Sequence, residues 1–225
     1  MELFRTRDKR NIFRDVTSRY GNVLWSLPLR IFVGFFWIVE GLKKLFGESV
    51  WNEATASISS FSKLFKNGLG DDSWLVGSSV HMPFDWLQTT TSGASEAVAA
   101  GEWGTPILSE SPGIFQWFMK IMLPTPEMAV LMQKVMVFVE IAIGVAILIG
   151  LFTWLASALS AMFIAIFTLS AMLGWDQFWA LPAAIALMNG AGRSIGLDYW
   201  VVPALQKRLG GKWYGQEQAI YSDTE

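Results

Sequence analysis

Residues 24–46 read LWSLPLRIFVGFFWIVEGLKKLF, and the rest of the chain is placed by this run. A helix rises about 1.5 Å per residue, so the run is long enough to cross a hydrocarbon core about 30 Å thick. It nevertheless carries Arg30 and Glu40 within its apolar length, and Lys43 and Lys44 at its end. A charge at the bilayer centre costs about 2.5–3.5 kcal/mol on insertion scales, so such a residue is expected to be paired or to face a polar cavity. Arg30, Gly34, Trp37, Gly41 and Lys44 recur at helical spacing and trace one face. Pro28 lies in the first turns, where its missing N–H costs least.

Three more apolar runs follow, all within residues 128–192 and their immediate flanks. One begins at Pro126 and extends to Ile149, with Glu140 near its middle. The next covers residues 151–173 and carries Thr153, Ser157, Ala161, Ala165 and Thr168, a stripe of small residues that lets helices approach closely. The last covers residues 175–189. The chain is therefore expected to be all-α, an integral membrane four-helix bundle with a long extracytoplasmic insertion at residues 47–127 between spans 1 and 2. Within that insertion, residues 51–65 predict a short amphipathic helix and residues 113–124 an interfacial or re-entrant one. The stretch between is loop-like.

Composition agrees. Of 225 residues, 52% are hydrophobic and only 16% charged, against about 25% charged in a typical soluble domain. Residues 1–23 form a basic segment, and residues 193–225 a mildly basic tail with Lys207, Arg208 and Lys212. The link at residues 174–177 has no Lys or Arg. Lys and Arg gather on cytoplasmic loops, so both termini are expected in the cytoplasm of a multi-pass cell-membrane protein. A net charge of −2 gives no field that would attract nucleic acid. The chain has no cysteine, which removes disulfides, thiol redox chemistry, iron–sulfur ligation and thiolate zinc sites. Its one histidine, His81, lies outside the apolar runs and is expected to be solvated; it excludes a bis-histidine haem in a single chain. No metal site and no intrinsic redox group is expected, so electrons would have to come from a partner or a bound organic cofactor.

Helical rise places Glu140 mid-span, Arg30 in the cytoplasmic half of span 1, and Glu40 level with Lys134. Two cross-helix charge pairs are predicted: Arg30 with Glu140, and Glu40 with Lys134. Either they glue helices together or they line a cavity for a ligand head group or a proton path. Lys43 and Lys44 are expected to snorkel to the interface or to pair with Glu40 one turn away. Arg193 and Asp198, in the glycine-rich stretch after span 4, suggest a helix C-cap or a cytoplasmic docking surface.

Three motifs resemble the DoxX/DoxD family of membrane proteins: LPLRIFVGFFWIVEGLKKLFG, EIAIGVAILIGLFTWLAS and MNGAGRSIGLD, in the family's order. The resemblance covers about residues 24–46 and 128–200. It implies a bacterial or archaeal four-helix membrane bundle tied to respiratory or sulfur redox chemistry, such as a subunit of thiosulfate:quinone oxidoreductase. It is similar, too, to the membrane segments that accompany type II NADH dehydrogenase-like flavoproteins. The chain departs from the family's pattern at Thr153–Trp154, where an Arg is frequent, and in its longer insertion. The expected function is a membrane subunit that binds a quinone at Arg30, Glu140 and Asn189 and docks a partner oxidoreductase carrying a flavin. The alternatives are a ligand-free structural anchor and, third, a small transporter. A homo-oligomer is compatible with each.

Overall fold

A computed structural model describes residues 21–57, 60, 62–77, 80–82, 84–87, 106–188, 191–193, 196–201 and 205. Most of the basic N-terminal segment, Asn189 and nearly all of the C-terminal tail lie outside the described residues. Among those described, every regular element is helical, and the only extended pairing is an isolated antiparallel bridge between Pro106 and Gly174.

Two long helices form the spine. Helix α1 spans Gly21–Phe46 and contains Pro28 near its start. Between it and the next long helix lie α2 (Glu48–Thr55), α3 (Lys63–Asn67), a 3-10 turn at Asp85–Leu87 and α4 (Gly113–Met122). Helix α5 spans Pro126–Ile149, with Pro126 in its first turn and the Thr125 hydroxyl accepting from the Met128 N–H. Helices α6 (Thr153–Leu169) and α7 (Ala180–Leu187) complete the set, followed by a 3-10 turn at Ala191–Arg193.

Helices α1 and α5 run antiparallel and touch backbone to backbone. A Cβ added at Gly144 would stand 2.7 Å from the Gly34 carbonyl oxygen, so only glycine permits this crossing. The face read from spacing, Arg30, Gly34, Trp37, Gly41 and Lys44, is buried along its whole length. Around it pack Val33, Ile143, Ile147, Ile164, Leu173 and Leu187. Trp37 closes the layer by donating its indole N–H to the Ser160 hydroxyl at 2.6 Å. The outward faces are apolar as well: Phe32 is 65% and Phe35 62% exposed, and Leu131, Phe138, Leu155 and Ile185 also face out.

Three expectations need correction. The run at 175–189 is not one helix of spanning length, because turns occupy residues 175–179 before α7 begins. Pro182 explains the break: it has no N–H to bond the carbonyl four residues back, so it fits only the first turn of a helix. The helix expected over residues 51–65 is two helices separated by the serine-rich stretch at residues 57–62. The run at 151–173 is helical only over Thr153–Leu169, since Ala171 adopts φ 58 just beyond it. Among the described helices, α5 alone is long and apolar enough to cross a membrane by length and composition; α6 is apolar but shorter, and charges interrupt α1.

The insertion folds back on the end of α1. The last carbonyls of a helix lack partners within it. Here they are taken by the insertion: the Trp74 N–H donates to the Lys44 oxygen at 2.9 Å, the Gly70 N–H to that of Phe46 at 2.7 Å, and the Ser73 hydroxyl to that of Leu45 at 2.6 Å. This capping sets the Trp74 ring over Lys44.

Candidate functional site

The buried charges fall into two clusters, one at each end of the α1–α5 pair.

At the first end, Arg30 is 2% exposed. Its Nε donates to the Ile147 carbonyl oxygen at 3.1 Å and its Nη2 to that of Leu148 at 3.0 Å. These are carbonyls of the last turn of α5, where the helix leaves its acceptors under-used; that of Ile147 also accepts from the Gly150 N–H at 3.2 Å. Gly150 follows in the left-handed conformation, φ 71, which costs glycine nothing and puts its Cα where a side chain would strike the guanidinium. Asp198 comes back from the glycine-rich segment and closes the turn. Its carboxylate accepts from the Phe152 N–H at 2.6 Å and the Thr153 N–H at 2.8 Å, while its own N–H donates to the Gly150 oxygen at 2.8 Å. A carboxylate on the first N–H groups of α6 is favoured by both hydrogen bonding and the helix dipole. Asp198 also attracts Arg30 electrostatically.

At the other end, Glu140 is fully buried and its Oε1 accepts from Lys44 Nζ. The Lys44 ammonium lies 5.0 Å from the Trp74 ring centroid and 4.7 Å from that of Phe167, so two aromatic faces help replace its lost water. Glu140 Oε2 has no hydrogen-bond partner among the described residues. His81 stacks on Trp74, with ring centroids 5.4 Å apart and planes 11° from parallel, and its backbone N–H donates to Gln133 Oε1 at 2.8 Å. One turn before Lys44, Glu40 pairs with Lys43 at 2.9 Å. A small cleft of about 20 Å³, room for one water molecule, lies between Phe36, Trp37, Glu40, Lys44, Phe167 and Gln177.

The predicted pairs are therefore not the observed ones. Arg30 does not meet Glu140, because the Gly34–Gly144 crossing carries Arg30 to residues 147 and 148, roughly 10 Å of helix beyond Glu140. No ion pair joins Glu40 to Lys134; Lys43, on the same helix, holds Glu40 instead. Asp198 offers no docking surface: it is 3% exposed and both carboxylate oxygens cap α6. The side chains of Asn189 and Arg193 lie outside the described residues. His81 is not a solvated loop residue, since it packs on Trp74. Sequence reasoning missed Lys44 as the partner of Glu140, although Lys44 already stood on the buried face. Nothing in the sequence pointed to Trp74 or Phe167.

No protein-family model, characterised protein or solved structure matches this chain.

Proposed function

We propose that this chain is a multi-pass membrane subunit that binds a quinone head group in the cleft beside Lys44 and docks a partner oxidoreductase. The observation that carries the proposal is the buried Lys44–Glu140 pair, with one carboxylate oxygen unpartnered among the described residues and Lys44 itself lining an aromatic-walled cleft. Buried ionisable groups with spare donors and acceptors are what a polar head group entering from lipid requires. Lys44 would donate to a quinone carbonyl. The ring would lie against Phe36 and Phe167. The partner would supply the flavin and the electrons, because the chain has neither cysteine nor a metal-binding cluster among its described residues.

The membrane setting is supported by an inverted arrangement: charges inside, and large apolar side chains such as Phe32, Phe35, Leu131 and Phe138 outside. In this setting α1, α5, α6 and the segment at residues 175–188 make four crossings, the last short. Both termini are cytoplasmic and the insertion is extracytoplasmic. The three motifs that resemble the DoxX/DoxD family add the quinone-linked context.

Extraction of the protein purified from native membrane tests the proposal. Quinone in stoichiometric amount supports it, and protein that is folded but free of quinone overturns it. The second hypothesis, a structural anchor, rests on the size of the cleft: 20 Å³ holds a water and not a ring, so Phe36 and its edge-on neighbour Trp179 must swing outward to admit one. Topology is checked separately in this cysteine-free background. A membrane-impermeant thiol reagent added outside should label a single cysteine at position 93 and not one at position 5 or 212.

A further inference from the structure

Lys44 stands between two carboxyl groups of opposite character. Behind it Glu140 is fully buried, with Oε2 unpartnered among the described residues. Before it, one helical turn away, Glu40 lines the same cleft as Lys44 and keeps 14% of its side chain exposed. The cleft between them has room for one water. The other titratable groups nearby are Lys43, paired with Glu40, and His81, stacked on Trp74. Lys134 lies roughly 9 Å of helix away from Glu140, toward the same end.

We propose that Glu40, Lys44 and Glu140 form a proton relay that opens at the end of the bundle carrying the insertion. Glu140 is the store, Lys44 the carrier and Glu40 the port. The Lys44 ammonium passes a proton to Glu140 along the hydrogen bond already present, leaving a neutral amine. Glu40, a carboxylate while it pairs with Lys43, first takes a proton from solvent. The cleft water then gives a proton to the Lys44 amine and is restored by the Glu40 carboxyl, which returns to the carboxylate. The net change is one proton moved from solvent to Glu140, and each step reverses when the store empties. Trp74 and Phe167 keep the carrier in place, because a ring face attracts the ammonium without removing its protons.

The relay shares its cleft with the proposed quinone site and rests on that function for its purpose, but the two can fail separately. The full chain in liposomes, given a sudden pH step on the insertion side, should show a change in the infrared band of a protonated carboxyl. Glu140→Gln should abolish that change. Glu40→Gln should slow it roughly 100-fold, the low end of what a positioned proton-transfer group contributes, and Glu40→Asp should restore most of the rate. Glu40 is partly exposed and pairs only along its own helix, so this variant is expected to fold, which circular dichroism verifies. An unchanged rate in Glu40→Gln, a change that survives in Glu140→Gln, or an equal response to a step on the opposite face overturns the relay. The part of the tryptophan quenching by decylubiquinone that is lost in Trp37→Phe reads the cleft independently of the other tryptophans. Failure of quenching with an intact proton response removes the quinone site and leaves the relay standing.

Discussion

The two ends of the α1–α5 pair bury charge in opposite ways. At Arg30 the donors meet main-chain carbonyls, Gly150 presses against the guanidinium, and Asp198 satisfies the adjoining N–H groups. At Lys44 one bond to Glu140 is made, two rings stand in for solvent, and a carboxylate oxygen is left over. A charge whose partners are backbone groups of a helix end fixes that end in place. A charge with bonding capacity to spare is costly to bury and is retained where something else uses it. The first cluster therefore belongs to the fold, and the second is where the proposed function is placed.

The largest effect should come from Glu140→Ala. It leaves the Lys44 ammonium buried without a counter-charge, at a cost of about 3–5 kcal/mol. The double variant with Lys44→Ala should cost less than the sum of the single ones, because neither charge is then stranded. Thermal unfolding in detergent checks both, and strictly additive losses would show that the pair is not coupled. At the other end, Asp198→Ala strands two N–H groups at the start of α6 and should cost about 1–3 kcal/mol. On the proposed function, quinone binding per folded molecule should stay unchanged there; a loss of binding at wild-type stability would abolish the distinction between the two ends. Gly150→Ala should cost roughly 1–2 kcal/mol for the left-handed backbone, and more for the collision with Arg30. A neutral result in the same unfolding assay would mean the turn relaxes freely.

The smallest effect lies in the insertion. Burial pushes the Asp72 carboxyl up, but hydrogen bonds from the Ser49 N–H and hydroxyl, each 2.8 Å, together with the backbone N–H groups of Asp72 and Glu48, outweigh it and leave the group below its ordinary value. A lowered folded-state value means that the contribution is whole above the unfolded value, about pH 4 for aspartate, and fades as pH falls through the lower folded one. The stability gap between wild type and Asp72→Asn should thus be flat at neutral pH and shrink only in acid. A gap that widens in acid would reverse the sign.

The start of α5 and the buried face of α1 were legible because they rest on local chemistry, whereas the ends of α6 and α7 were not. Pro126 marks the start of α5, and spacing alone collects Arg30, Gly34, Trp37, Gly41 and Lys44 on one face. The partners of that face were not legible, because pairing depends on register. Depth along each run aligned Arg30 with Glu140, whereas Gly34 lies against Gly144 and Gly41 against Ile141 and Glu140, so that Lys44, three residues beyond Gly41, reaches Glu140 instead. Trp74 and His81 were beyond reach, since their positions come from an insertion folding onto the carbonyls of α1.

The pairing of α1 with α5 also sets a schedule for synthesis. Lys44 waits for Glu140, made 96 residues later, and Arg30 for carbonyls 117 and 118 residues later. At about 5–20 residues per second, the ribosome leaves these charges without their partners for on the order of ten seconds. On the membrane hypothesis, α1 spends that interval as a poor occupant of lipid and must be held beside the insertion machinery until α5 arrives. Chains truncated before residue 126 should accordingly be stripped from membranes by alkaline carbonate, while the full chain resists; equal resistance would mean that α1 settles in lipid without its partner.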